Sequence, residues 1–240
     1  MILAASLAGR PWGESVSGWF VGLPLTAGPV VFFLALEEAS GFAAAAATGC
    51  LAGAAAEAAF CLAYAIAARH ASWPLALAAG TTGFVAAAIL LGTAALPFAP
   101  LAALAALVLA GALRLMPRHG PAVLTLSAAP RWDIPARMAV ATALVCGLTG
   151  LAPLLGAQVS GLAATYPVFA AVLAAFAHRA RGAAAATGVL RGLLVGLFGF
   201  IAFFAALTAT IERVGIVAAF AAATALAFAI QGATFTVLRR

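Results

Sequence analysis

Two ionisable residues stand alone inside long apolar stretches. Glu57 lies within GCLAGAAAEAAFCLAYAIA and Arg191 within ATGVLRGLLVGLFGF. An ionisable group in hydrocarbon is costly enough that pairing, proton coupling or a water-filled cavity is its default explanation. At helical rise Glu57 stands roughly 18 Å from Arg69, and Arg191 about 15 Å from Arg181. Their depths match, so an intramembrane charge pair Glu57–Arg191 is expected. The alternatives are that Arg191 snorkels to the headgroups and that Glu57 is protonated in an apolar wall.

A second group surrounds prolines. Pro24 and Pro29 interrupt one apolar stretch and Pro167 another. Proline removes a backbone donor and frees a carbonyl one turn earlier, which protein or cavity water must then satisfy. Thr26, Gly28, Thr165 and Tyr166 place hydroxyls and a close backbone approach beside the breaks. Pro29 lies about 15 Å from Trp19 along a helix, near a bilayer mid-plane. Pro24, Thr26, Gly28, Pro29, Thr165, Tyr166 and Pro167 are therefore the expected lining of a substrate site between two discontinuous helices. Two proline kinks with threonines bonded back to their own helices are the plainer reading.

Catalytic chemistry is absent from the pattern. HExxH, GxSxG, Walker A and paired CxxC motifs are missing, and Cys50, Cys61 and Cys146 are scattered through apolar blocks. The expectation is a non-enzyme with no metal and no cofactor. All twelve basic residues are arginine, spread singly or in pairs, so nucleic acid is not an expected partner. Arg114, Arg118, Arg131 and Arg137 read as topogenic, lipid-facing charge.

The elements that must position these residues are membrane helices. Of 240 residues, 66% are apolar and 8% charged, against roughly 25% charged in soluble domains. The mean hydropathy is +1.18. Apolar blocks of helix-crossing length predict an all-α, polytopic transmembrane bundle of about eight spans, at 17–36, 41–68, 73–95, 98–116, 136–156, 159–177, 183–210 and 214–237, after an N-terminal stub. The second and seventh are long enough to tilt or project. Eleven arginines then fall on or near one side, with only Arg213 on the other beside Glu37, Glu38 and Glu212. Arginine marks the cytoplasmic side, which predicts a multi-pass bacterial inner-membrane protein whose first full span starts, and whose last span ends, in the cytoplasm.

The halves repeat. AAAATGCLAG at 44–53 matches AAAATGVLRG at 183–192, and GLPLTAGPV at 22–30 resembles GLAATYPV at 161–168. The first span maps onto the sixth, five crossings later, and an odd number inverts the second copy. Two inverted-topology repeats are expected: 1–97, and 136–240, joined by a connector at 98–135. The alignment also sets the stub opposite the fifth span, which predicts either a start site assigned too late or a first helix shortened by truncation. Gly49 and Gly53, and Gly188, Gly192 and Gly196, have the small-residue spacing that packs membrane helices closely; they are expected at the interface between the halves, with homodimerisation as a further use.

The segment VSGLAATYPVFAAVLAAFAHRARG at 159–182 resembles GlpM-like small bacterial membrane proteins. That family comprises roughly four-helix proteins of about half this length, so the resemblance implies a fused, inverted duplication of such a unit. It carries over no ligand or catalytic residue. Together these readings point to a small transporter or permease-like protein, with the lipid bilayer and an unidentified small molecule or ion as partners. A non-transporting scaffold or accessory subunit is the alternative.

Overall fold

Alanine and leucine are the strongest helix formers, and a backbone in hydrocarbon must satisfy its polar groups within its own segment. The computed structural model, which describes residues 2–38, 40–117, 132–147 and 166–238, follows that constraint. Its elements are α1 (Ile2–Trp12), α2 (Glu14–Val21), α3 (Ala27–Glu37), α4 (Ser40–Ala67), α5 (Trp73–Ala94) and α6 (Phe98–Leu115). These are followed by α7 (133–147), α8 (Val168–Arg181), α9 (Ala183–Val214) and α10 (Ile216–Leu238). No strand occurs among the described residues.

Five helices, α4, α5, α6, α9 and α10, are long and apolar enough to cross a membrane. They coincide with the second, third, fourth, seventh and eighth expected spans. The first expected span is two helices, α2 and α3, separated by residues 22–26. The fifth and sixth fall partly outside the described residues, where 133–147 is helical and α8 begins at Val168. The stub is helical as α1, and Ala5 is fully buried.

Three of the connections are single glycines. Gly13, Gly182 and Gly215 have φ values of 91°, 84° and 81° with ψ near 180°. Side chains other than hydrogen are essentially excluded from that region, so glycine at these points lets a helix end and the next begin within one residue.

α9 is the axis of the bundle and packs against α2, α4, α6, α8 and α10. Leu190, Leu193, Leu194, Leu197, Phe204 and Leu207 are each at most 1% exposed. At 32 residues, α9 is about 48 Å long, more than the ~30 Å hydrocarbon layer. α5, α6 and α10 bury narrow seams and leave apolar faces such as Leu90, Leu107 and Phe228 outward, as helices facing lipid do.

Side-chain contacts sort the ends of the bundle. Glu14 pairs with Arg181, and Tyr64 Oη lies 3.3 Å from His178 Nδ1. These bring the start of α2, the end of α4 and the end of α8 to one end. At the other, Glu212 of α9 approaches Gly41 at the start of α4.

Candidate functional site

The break between α2 and α3 begins where α2 can no longer lie on α9. Gly18 of α2 and Gly22, its C-cap, face the Gly192–Gly196 stretch of α9 so closely that a Cβ on Gly22 would come within 2.6 Å of the Gly196 carbonyl carbon. A Cβ on Gly18 would collide with the Val189 carbonyl, and one on Gly192 with that of Ser15. A Cβ on Gly188 would meet the Glu14 Cβ at 3.5 Å, ordinary contact distance. The expected packing role of Gly188, Gly192 and Gly196 is thus met by α2. Gly49 faces open space. The partner motif, Gly18 and Gly22, has the same spacing.

Past Gly22 the chain turns through Leu23–Thr26 and restarts as α3. Pro24 supplies the interruption. Its carbonyl accepts from Gly28 N at 2.9 Å, Thr26 O accepts from Val30 N at 3.4 Å, and Leu23 O from Leu25 N at 2.8 Å. The break therefore satisfies much of its own backbone. Pro29, expected as a second interruption, occupies the first turn of α3, where a missing N–H costs nothing. Thr26 is the residue before that helix, makes no side-chain cap bond and is exposed.

Facing the break is a cavity of about 370 Å³ lined by Leu23, Pro24, Gly28, Pro29 and Phe32 on one side and Phe203, Phe220, Thr224, Ala227 and Phe228 of α9 and α10 on the other, with Leu25 at its rim. Leu25 and Phe228 are 49% and 64% exposed, so it opens on the outside of the bundle. Pro24, Gly28 and Pro29 line it as expected and Thr26 does not. The α9 and α10 residues were not foreseen, because an outward phenylalanine in an apolar helix carries no mark separating pocket from lipid.

The second break lies elsewhere. Pro167 precedes α8, and Tyr166 shares a hydroxyl–hydroxyl hydrogen bond of 2.8 Å with Thr81 of α5. Its ring stands edge-on to Phe60 and Phe84, with centroids at 6.1 and 5.5 Å. Thr165 lies outside the described residues. Tyr166 faces α4 and α5, and neither Tyr166 nor Pro167 is part of the cavity lining. The structure does not bring the described members of the two expected sets into one central site.

Glu57 and Arg191 are both half-buried, and among the described residues no ion pair joins them. Equal depth is not enough. Each is flanked along its own helix by buried residues, Ala54, Ala58 and Cys61 on α4 and Leu190, Leu194 and Leu197 on α9. Among the described residues ion pairs form at Glu14–Arg181 and Asp133–Arg137, the latter at 2.9 Å. Arg137, expected to face lipid, is 6% exposed and lies over the Phe176 ring at 5.4 Å. Burial raises the Glu14 carboxyl above its ordinary pKa, although Arg181 beside it pulls the other way. Among the described residues no three His, Cys, Asp or Glu side chains converge as a metal cage.

The described residues thus form an all-helical bundle, with five helices long and apolar enough to cross a membrane and an apolar side pocket at a helix break. No family model, curated protein or solved structure matches the chain.

Proposed function

We propose that this protein is a small transporter or permease-like protein of the bacterial inner membrane whose ligand enters from the lipid at the α2–α3 break. The observation carrying this reading is the cavity of about 370 Å³ built on a discontinuous helix. Broken helices that line cavities are a recurring device of secondary transporters. The full reading adds eight crossings, two inverted repeats divided as 1–97 and 136–240 around the 98–135 connector, cytoplasmic ends and descent from a GlpM-like unit; the repeated sequences and the arginine asymmetry support it.

The site serves an apolar solute better than a polar one. Pro24, Gly28, Phe32, Phe203, Phe220 and Phe228 offer no charge, and Thr224 is the only side-chain hydroxyl in the lining. Glu57 and Arg191 lie outside that lining, so a charged substrate finds no counter-ion there.

The scaffold reading draws support from the α2–α9 crossing, which fills that part of the bundle with backbone contact. The two readings separate in proteoliposomes. A transporter moves radiolabelled apolar or amphipathic solutes, and Gly28→Leu, which fills the cavity, stops that movement. A scaffold gives no flux with either protein. Cysteines introduced one at a time at Glu37 and Arg179 test the topology: labelling from the same side removes the inverted repeat.

A further inference from the structure

The pocket at the α2–α3 break lies at a definite depth. On α10 its lining runs from Phe220 to Phe228, past a helix start at Ile216, which is about 6–18 Å from that end at helical rise. On α3 it includes Phe32, ahead of Glu37 at the end of that helix by about 7.5 Å. Both counts start from the end of the bundle where Glu212 approaches Gly41. Half of a hydrocarbon layer is about 15 Å deep. The pocket therefore sits at the depth of the acyl chains in the leaflet on the Glu212 side.

Its mouth is on the outer surface. Pro29 and Thr224 of the lining are exposed, as are Leu25 and Phe228. Along α3, Phe33 and Leu36 are 60% and 56% exposed, so uncharged surface continues from the mouth toward Glu37. At that end of the bundle the exposed charged side chains among the described residues are Glu37, Glu38, Glu212 and Arg213. Three carboxylates against one guanidinium repel an anionic headgroup, whereas a headgroup carrying both phosphate and ammonium finds a partner for each charge. Arg69, Arg114 and Arg179, which suit anionic lipid, are exposed at the opposite end.

A void in the hydrocarbon layer forfeits the dispersion contacts of the atoms around it, and an acyl chain among Phe203, Phe220 and Phe228 restores them. We propose that the pocket holds one acyl chain of a zwitterionic lipid from the leaflet on the Glu212 side, with the lipid's ammonium at Glu37 and Glu38 and its phosphate toward Arg213. Packing holds the chain; the charges select the headgroup. The inference rests on the ligand pocket of the proposed function and names its occupant, but it does not need transport to occur.

The test uses the full chain in nanodiscs of equal phosphatidylethanolamine and phosphatidylglycerol, doped with a trace of either lipid carrying a mid-chain diazirine. After irradiation the labelled residues are mapped by peptide mass spectrometry. Leu23, Phe203 and Phe228 of the lining should be labelled more densely than Leu90 and Leu107, which face outward on α5 and α6. The phosphatidylethanolamine probe should label the lining about threefold more than the phosphatidylglycerol probe, the value of one exposed charge contact. Glu37→Gln with Glu38→Gln brings that ratio to about one and leaves the label in place. Thr224→Trp, which fills the mouth from α10, clears the lining while labelling at Leu90 and Leu107 persists as the check on folding; Gly28→Leu does the same from α3 if the tryptophan variant fails to fold. Lining label no denser than at Leu90 and Leu107, the result for a second copy of the chain or a free solute in the site, overturns the proposal. So does an equal or reversed probe ratio in the native protein, or a ratio that survives the double substitution. Labelling as stated with no flux overturns the transport reading alone, and flux that Gly28→Leu stops, with no label in the lining, overturns the lipid proposal alone.

Discussion

Replacing Gly192 by alanine tests the closest approach in the bundle. Its Cβ would be driven into the Ser15 carbonyl, and neither helix can yield locally because both atoms belong to hydrogen-bonded backbone. α2 must then move outward along its whole contact with α9. That movement loosens Gly22 from Gly196 and strains the Trp19–Thr234 hydrogen bond. Overpacking of this kind costs about 1–3 kcal/mol, and alanine returns roughly 0.5–1 kcal/mol of helix propensity. The net expectation is destabilisation of about 1–2 kcal/mol, or roughly 3–6 °C in apparent Tm for a chain of this size. Gly49→Ala is the control, since its Cβ meets open space, and it should melt at or slightly above the parent protein. Buried Cys61 supplies the readout in detergent, with exposed Cys146 replaced beforehand: a thiol-reactive dye labels Cys61 as the bundle opens. If Gly192→Ala and Gly49→Ala melt together, the α2–α9 contact is not built on backbone approach and the reasoning fails.

Three further outcomes follow from the same geometry. Arg181→Gln strands the Glu14 carboxylate and should lower the apparent Tm more than Glu14→Gln does, while the double substitution recovers most of the difference; equal effects of the two single changes would remove the ion pair from the account. Since burial raises the Glu14 pKa, its contribution to stability is fullest below the ordinary carboxylate pKa and declines as pH rises through the raised value, so the apparent Tm should fall with pH across that window in the native protein and not in Glu14→Gln. Gly182→Ala, at φ 84°, should cost about 1–3 kcal/mol from backbone strain alone, seen as faster proteolysis at the α8–α9 junction, and no change there would place the junction in an ordinary conformation.

Hydropathy carried the large-scale reading because it reports on solvent, and a bilayer sorts residues by solvent before any packing is decided. That is why α4, α5, α6, α9 and α10 fall within a few residues of the expected spans. Pro24 was equally legible, since a missing donor breaks a helix wherever it occurs in its interior. Pro29 was not, because the same residue is harmless in a first turn, and only the restart of α3 at Ala27 tells the two cases apart. Depth along a helix could be counted from charged ends, which placed Glu57 and Arg191 at similar heights, but the rotation of each helix about its axis was beyond that count. The four-residue spacing of Gly18 and Gly22 was present in the sequence as a signal for close packing, but Gly22 entered the reading only as part of the repeat.

The glycine seam and the pocket have one cause in the composition of α9. Along the face that α2 meets, the residues run Gly188, Gly192 and Gly196, and one to two turns later come Phe200 and Phe203. A helix can rest on glycine backbone at van der Waals distance, but the same line extended by two turns meets an aromatic ring. At Gly22 the chain has reached the last glycine of that seam, and Phe203 then stands 3.6 Å from where a Cβ of Gly28 would be. α3 is therefore held off α9 by the thickness of a phenylalanine, whereas α2 touches its backbone. A straight helix cannot keep both spacings. Pro24 lets the axis step outward between them, and the space behind the step is the cavity, lined on its far side by Phe220 and Phe228 of α10. On this account the pocket is not a packing defect: the change from glycine to phenylalanine on α9 and the proline on the facing chain occur at the same height, and each would be a source of strain without the other.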